Sequence, residues 1–517
     1  MPEPWWKSAV IYQIYPRSFA DTGGDGVGDL RGIADHLDHL AWLGVDAIWL
    51  SPIYPSPMAD FGYDVSDYCD IDPTFGTLAD FDDLLERAHA AAIKVIVDWV
   101  PNHTSDQHPW FVEARSSRQA PKRDWYVWRD GDPATPPNNW RAAFSDEPAW
   151  TWDAATEQWY LRLFLAEQPD LNWANPEVVE AMHGVLRFWL DRGVDGFRMD
   201  VIHALGKDPA LPDWPDELAG IPASALNDHE STHGILRDLR RLLDGYPGDR
   251  MMVGEVYLLS TAKVAKYYGA GDELHLAFNF PPLYAPWEAG PWKKRIDRTF
   301  EELDPIGAWP TWVLSNHDNP RHRTRYGGSE ARARAAAVLL LTMRGTPFLF
   351  QGEEFGLEDA VIPPERVVDP GGRDGCRAPI PWTADADHGW SGRDPWLPWP
   401  PEPDARNAAT LAADSQSILH LYRRLLALRR ASPALRLGSW QALEAGPDTL
   451  AYRRAAGDDE RVVILNYGDA PIAIEGSAAD TARRLVVQVA SDGRGEGRLF
   501  DGTVAGSAAV VLGKGET

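Results

Sequence analysis

Four short apolar runs of this 517-residue chain carry acids at or just beyond their ends. One continues as Asp98-Trp99-Val100-Pro101-Asn102-His103, and a second holds Arg198-Met199-Asp200. A third ends in Gly254-Glu255 and a fourth in Asn316-His317-Asp318. A single acid after a strand is most often a helix cap or a solvated loop residue. Four at equivalent places point to one shared site. In GFRMD, strand alternation puts Phe197 and Met199 on one face and Arg198 with Asp200 on the other. Burying two ions is costly unless they pair, so an Arg198–Asp200 bridge serves equally as a purely structural link. The same pairing would lower the Asp200 pKa and keep it ionised, as a nucleophilic carboxylate requires. Glu255 follows MMVG with no basic residue near it in sequence, so desolvation would keep it protonated, as a general acid must be. Two carboxyls with divergent pKa values are what glycoside cleavage needs.

Positioning such acids requires strands that end together. β-rich apolar runs occur at 9–16, 47–52, 94–101, 196–202, 251–257, 274–280, 311–318 and 346–354. Helical periodicity appears between several of them. Over 178–193, Val179, Met182, Val185, Leu186, Trp189 and Leu190 share a face and Gly193 supplies the stop. Over 78–94, Asp80 reads as the N-cap with Asp83 three residues on. The alternation predicts an α/β fold, a closed (β/α)8 barrel whose active residues stand at the C-terminal ends of its strands, with an open doubly wound sheet as the second choice. Two intervals break the pattern. Residues 104–171, rich in Trp, Pro, Asn and Asp, are too long for an ordinary loop and read as an inserted small domain. Beyond an amphipathic stretch at 417–430, short alternating runs predict an antiparallel β-sandwich over 433–517, leaving 1–103 and 172–432 to the barrel.

Acidic residues outnumber basic ones by 77 to 50, a formal charge of −27, and that field repels phosphate backbones and anionic lipid. Nucleic acid and membrane are therefore poor partners. Two cysteines, Cys69 and Cys376, cannot form a disulfide framework, and no run of 18 apolar residues or leader-like start occurs, so the expectation is a cytoplasmic protein. Seven of the 24 tryptophans fall within the insert, and most of the 24 would serve packing. His229-Glu230-Ser231-Thr232-His233 matches a zinc-protease pattern, but helical periodicity begins only near His233, so it reads as a helix start.

The ordered set WWKSAVIYQIYPRSF, DGVGDLRGI, LGVDAIWLSPIYPSPMADFGYDVSDY, DWVPNHTS, QPDLNW, GFRMD, GEVY, SNHD and RDGCRAPIPW resembles the α-amylase family of glycoside hydrolases (family 13), in particular its α-glucosidase and oligo-1,6-glucosidase branch, over nearly the whole chain. The resemblance implies that Asp200 is the nucleophile, Glu255 the general acid/base and Asp318 a third acid that stabilises the transition state. It implies that Asp98, His103, Arg198 and His317 hold the glucose ring, and that Asp60, Tyr63 and Arg377 grip its non-reducing end, Asp60 pairing with Arg377 across the pocket floor. Phe144, Phe164 and Gln168 of the insert would line the pocket. The implied activity is exo-acting hydrolysis of short α-glucosides with retention, the partner a small oligosaccharide. A transglucosylase or isomerase acting on sucrose or maltose is the alternative. A non-catalytic relative, like the transporter heavy chains, would lack the full acid set. Val201 occupies the position that carries Val in α-1,6-preferring relatives. The segment 21–29 resembles the branch's calcium loop, which implies a structural Ca2+ held by Asp21, Asp25, Asp29 and the Val27 carbonyl. Gly23 departs from it, removing one side-chain oxygen. The same glycines suggest a phosphate loop, but three carboxylates among them would repel phosphate.

Overall fold

The computed structural model describes residues 3–392 and 394–515. Eight parallel strands form its centre: β1 (Ile11–Ile14), β2 (Ala47–Leu50), β3 (Lys94–Trp99), β4 (Gly196–Met199), β5 (Met251–Gly254), β6 (Leu276–Ala277), β7 (Thr311–Val313) and β8 (Thr346–Phe350). They pair in the order β7-β8-β1-β2-β3-β4-β5-β6. Placing β1 between β8 and β2 rules out the open doubly wound alternative. The ladder itself stops between β6 and β7, where the Thr311 hydroxyl bridges the gap. It donates to the Ala277 carbonyl at 2.8 Å and accepts from the Asn279 N–H at 3.1 Å. The nearly closed sheet is the expected (β/α)8 barrel. Several strands are shorter than their apolar runs, because the run continues into the loop that carries the functional residue. Phe278, for example, follows β6 with a last N–H bond to the Gly254 carbonyl at 3.0 Å, and Phe280 already opens the short helix Phe280–Leu283, both remaining buried.

Helix Leu78–Ala90 starts one turn earlier than expected. Thr77 is its N-cap and Asp80 sits at the third helical position, each side chain bonding the other's backbone N–H in a reciprocal capping box. Asp80 is therefore the back-bonding partner and not the cap. Helix Pro176–Arg192 matches its periodicity, with Asn175 as cap and Gly193 at φ 106° closing it.

The insert forms a three-stranded antiparallel sheet of Trp128–Arg129, Gln158–Leu161 and Trp150–Asp153. Trp140, Trp150 and Trp159 pack with Val201 and Ala204, so the insert's core is continuous with the loop after β4. At the C-terminal end, Ser439–Leu443, Thr449–Ala456, Asp459–Asn466, Ala508–Gly513 and Val486–Ala490 make a five-stranded antiparallel sheet, beside a two-stranded ribbon of Ile472–Ala473 and Thr503–Val504. The sheet docks on helix Glu330–Thr342, where the Thr342 and Tyr452 hydroxyls meet at 2.6 Å. No helix among the described residues is long and apolar enough to cross a membrane.

Candidate active site

The strand ends of β3, β4 and β5 converge on one guanidinium. Arg198 points inward from β4, opposite Phe197 and Met199, as the alternation predicts. Its Nη1 donates to Asp98 Oδ1 at 2.9 Å and to Asp200 Oδ1 at 2.5 Å, and its Nη2 to Glu255 Oε2 at 2.7 Å. Three carboxyls share one cation. Burial, reinforced by Glu255 and Asp98, therefore pushes Asp200 well above the ordinary carboxylate range against the pull of Arg198. This corrects the expectation that Arg198 alone would lower it. Burial likewise raises Asp98 to about 6. One guanidinium thus offers a single positive charge to the carboxyls gathered on it. Val201 sits at φ 43°, a costly conformation for a β-branched residue, and its N–H thereby turns to Glu255 Oε2 at 3.2 Å.

Asp318 lies across the cavity at the tip of the loop after β7. Arg373 Nη1 donates to it at 3.0 Å and Arg377 Nη2 at 3.2 Å. Burial favours its neutral form, but His317 and the two arginines outweigh that and hold it below the usual carboxylate range. His317 is itself neutral at pH 7, since burial drives it down to about 3, so the arginines carry the effect there. Its Nδ1 meets Gln13 Nε2 at 2.7 Å and its Nε2 the Tyr63 hydroxyl at 2.6 Å, with the Tyr63 ring stacked on the imidazole.

Asp60 does not pair with Arg377. Its partner is Arg373, whose Nη2 donates to Asp60 Oδ1 at 2.6 Å and to Asp369 Oδ1 at 2.7 Å. Arg377 lies fully buried beneath, donating to Asp369 Oδ1 at 3.1 Å and to the His317 carbonyl at 2.8 Å. Asp60 Oδ2 accepts from Gln168 Nε2 at 3.0 Å, which also meets His103 Nε2 at 3.0 Å. Burial lowers His103 to about 4.

Together these groups enclose a cavity of about 460 Å³. Asp60, Tyr63, His103, Phe144, Phe164, Asp200, Glu255 and Asp318 line it, whereas Asp98, Gln168, Arg198, His317 and Arg377 support it from underneath. Sequence reasoning missed Arg373, Asp369 and an aromatic wall of Tyr257, Phe280 and Tyr284. Arg373 was visible as the first residue of RDGCRAPIPW, four before Arg377.

Burial lowers His103 to about 4 and His317 to about 3, and it also lowers His203, the other imidazole at the cavity, so an acid limb of kcat/KM is expected to come from carboxyls. His103→Asn should lower kcat/KM on maltose without moving that limb. A limb that shifts with the substitution would show the imidazole titrating.

The 21–29 loop lies apart from this cavity. Asp21 and Asp29 carboxylate oxygens both come within 4 Å of where a Cβ at position 23 would stand. Asp25 instead accepts from the Val27 N–H at 2.9 Å. Asp29 also caps helix Leu30–Asp35 through the Gly32 N–H. Among the described residues no group of three His, Cys, Asp or Glu side chains is arranged to hold a metal. Two converging carboxylates, not three, are therefore what this loop offers. The zinc-like pattern stands at a helix start: the helix begins at Ser231, His229 Nδ1 meets Ser231 Oγ at 2.7 Å, and His233 Nδ1 meets Glu273 at 2.7 Å.

The family model "Alpha amylase, catalytic domain" matches residues 13–438. The chain is 44 % identical over 497 residues to a "Probable alpha-glucosidase" of Rhizobium meliloti (strain 1021), covering 90 % of each protein. It is 38 % identical over 517 residues to an "Oligo-1,6-glucosidase" of Parageobacillus thermoglucosidasius, covering 91 % of each. It superposes on a crystal structure of the alpha-glucosyl transfer enzyme XgtA with a TM-score of 0.90 at 41 % identity, covering 99 % of both chains. With its acids at the barrel's strand ends, the chain belongs to the α-amylase family of glycoside hydrolases.

Proposed function

We propose that this enzyme is a retaining, exo-acting α-glucosidase that releases α-glucose from the non-reducing end of short α-glucosides. The observation that carries the reading is the Asp60–Arg373 ion pair, which lines the cavity with Asp200 and Glu255 and is backed by the buried Asp369 carboxylate. A charged wall of this kind suits the hydroxyls of a terminal glucose and supports a pocket over an open cleft. Asp200 attacks the anomeric carbon while Glu255 protonates the leaving oxygen. Water, deprotonated by Glu255, then resolves the glucosyl-enzyme. Both carboxyls lie on neighbouring nitrogens of one guanidinium, which supports the short carboxyl separation of about 5–5.5 Å that retention requires over the wider inverting one. Asp318, kept anionic by Arg373 and Arg377, stabilises the developing positive charge.

Maltose, maltotriose and isomaltose should be turned over far better than soluble starch, with glucose as the first product. Early maltotriose or longer fragments from starch would mean an open cleft. The likeness to XgtA favours a second reading, glucosyl transfer, on the same acids. Transfer products outweighing glucose at low substrate concentration would establish it. Cys69 and Cys376 are both unpaired, which supports work in the reducing cytoplasm.

For the 21–29 loop we propose weak Ca2+ binding through Asp21, Asp29 and the Val27 carbonyl, with water in place of the missing side chain at Gly23. Millimolar Ca2+ should then raise the melting temperature by a few degrees and EDTA reverse it. An unchanged melt across both would leave a glycine-rich turn.

A further inference from the structure

Behind the barrel wall, away from the cavity, lies a cluster of buried polar groups that the proposed reaction does not use. Glu353, Arg321 and His322 are each at most 2 % exposed. Among the described residues, Arg321 Nε and Nη2, His322 Nε2 and Glu354 Oε2 have no hydrogen-bond partner, and the Ser315 and Tyr422 hydroxyls stand beside the Glu353 carboxyl without meeting strict hydrogen-bond geometry. They belong to one neighbourhood. His322 Nδ1 lies 3.9 Å from Glu353 Oε1, Arg321 bears on Glu353, and both glutamates bear on Tyr422. Buried polar groups are seldom left unpaired, and here unpaired donors and acceptors stand together. A cation would satisfy only the acceptors and an anion only the donors. Water does both, and it is the ordinary occupant of buried polar sites.

The cluster sits under the neck of the Asp318 loop. The His322 N–H donates to Ser315 Oγ at 2.9 Å, and Ser315 Oγ meets His322 Nδ1 at 3.0 Å, so these two residues close the loop. At its tip the Asn316 side chain accepts from the Asp318 N–H at 2.9 Å and from Asn319 at 2.9 Å. Arg321 Nη1 ties the neck to the Gln351 carbonyl at 2.7 Å. Glu353, two residues beyond Gln351, faces the same neck from the β8 side.

We propose that Glu353 is a positioning residue for Asp318, holding the loop's neck through His322 and through water buried between Glu353 and Arg321. The inference rests on the role given to Asp318 under the proposed function. Burial pushes the Glu353 carboxyl up to about 8, so it carries a proton at neutral pH and a glutamine imitates it. Arg321 has Asp359 beside it, which accepts its backbone N–H at 2.8 Å, while Glu354 takes the Tyr12 hydroxyl at 2.7 Å.

The test is steady-state kinetics on maltose with Glu353→Leu and Glu353→Gln, alongside a high-resolution crystal structure of the unaltered enzyme. Glu353→Leu should lower kcat about tenfold or more with KM within about threefold, since only transition-state alignment is lost. Glu353→Gln should keep kcat within about threefold. The crystal structure should show ordered water joining Glu353 to Arg321. A folded Glu353→Leu with unaltered kcat, or KM and kcat falling alike in both variants, would overturn the proposal. So would a dry cluster in the crystal, which decides the matter even where Glu353→Leu fails to fold. Asp318→Asn separates the two levels: full activity there would refute the role of Asp318 itself.

Discussion

Asp200→Asn is expected to abolish turnover and leave the fold intact. The carboxylate is 4 % exposed, stands against Arg198 at 2.5 Å, and faces the cavity beside Glu255. Losing a nucleophile should slow maltose hydrolysis more than about a thousandfold, roughly 4 kcal/mol of barrier. The amide removes one of three acids crowded on one guanidinium, so the melting temperature should hold or rise. Folding and chemistry thus separate. A folded variant with more than about a thousandth of the original kcat would remove Asp200 from the nucleophile's role.

Arg373→Ala has the second-largest expected effect. This guanidinium is the direct partner of Asp60, Asp318 and Asp369 together. Its removal leaves three carboxylates in and beneath the cavity short of charge, and kcat/KM should fall about a hundredfold or more, on the order of 3 kcal/mol. Asp60→Ala should cost a similar amount, and the double variant little more than the worse single one, because the two side chains act as one unit. Arg377→Ala should act differently. Its guanidinium reaches the His317 carbonyl, Asp369 and Asp318 from below and does not touch Asp60, so the melting temperature and kcat should suffer more than KM. Unaltered kinetics in Arg373→Ala with a collapse in Arg377→Ala would restore the Asp60–Arg377 pairing inferred from sequence.

That pairing shows where sequence reading ended. Alternation in GFRMD sufficed to aim Arg198 inward, because the rule is local and the strand is buried on both faces. Arg373 and Arg377 lie within one short irregular segment, where no period fixes direction, and either could face Asp60. The ionisation of Asp200 also escaped. Reading Arg198 as its private partner ignored that Asp98 and Glu255 arrive from β3 and β5, a fact of tertiary register. Taking Asp80 as the cap left out Thr77, because the reciprocal box needs both residues and spacing alone also fits Asp80 with Asp83. Closure of the barrel through Thr311 side-chain bonds left no trace in hydrophobic patterning. The calcium expectation rested on acids at regular intervals, yet a turn around Gly24 and Gly26, both at positive φ, sends Asp25 to its own backbone.

The central claim is that a glucosyl unit passes through a covalent bond to Asp200. Incubation with 5-fluoro-α-glucosyl fluoride slows resolution of such an intermediate, so it accumulates and survives proteolysis. Mass spectrometry of the peptides should find one sugar label, on the peptide containing Arg198-Met199-Asp200, and none in Asp200→Asn. A label on another residue, or steady release of product with no labelled peptide at any time, would contradict the account.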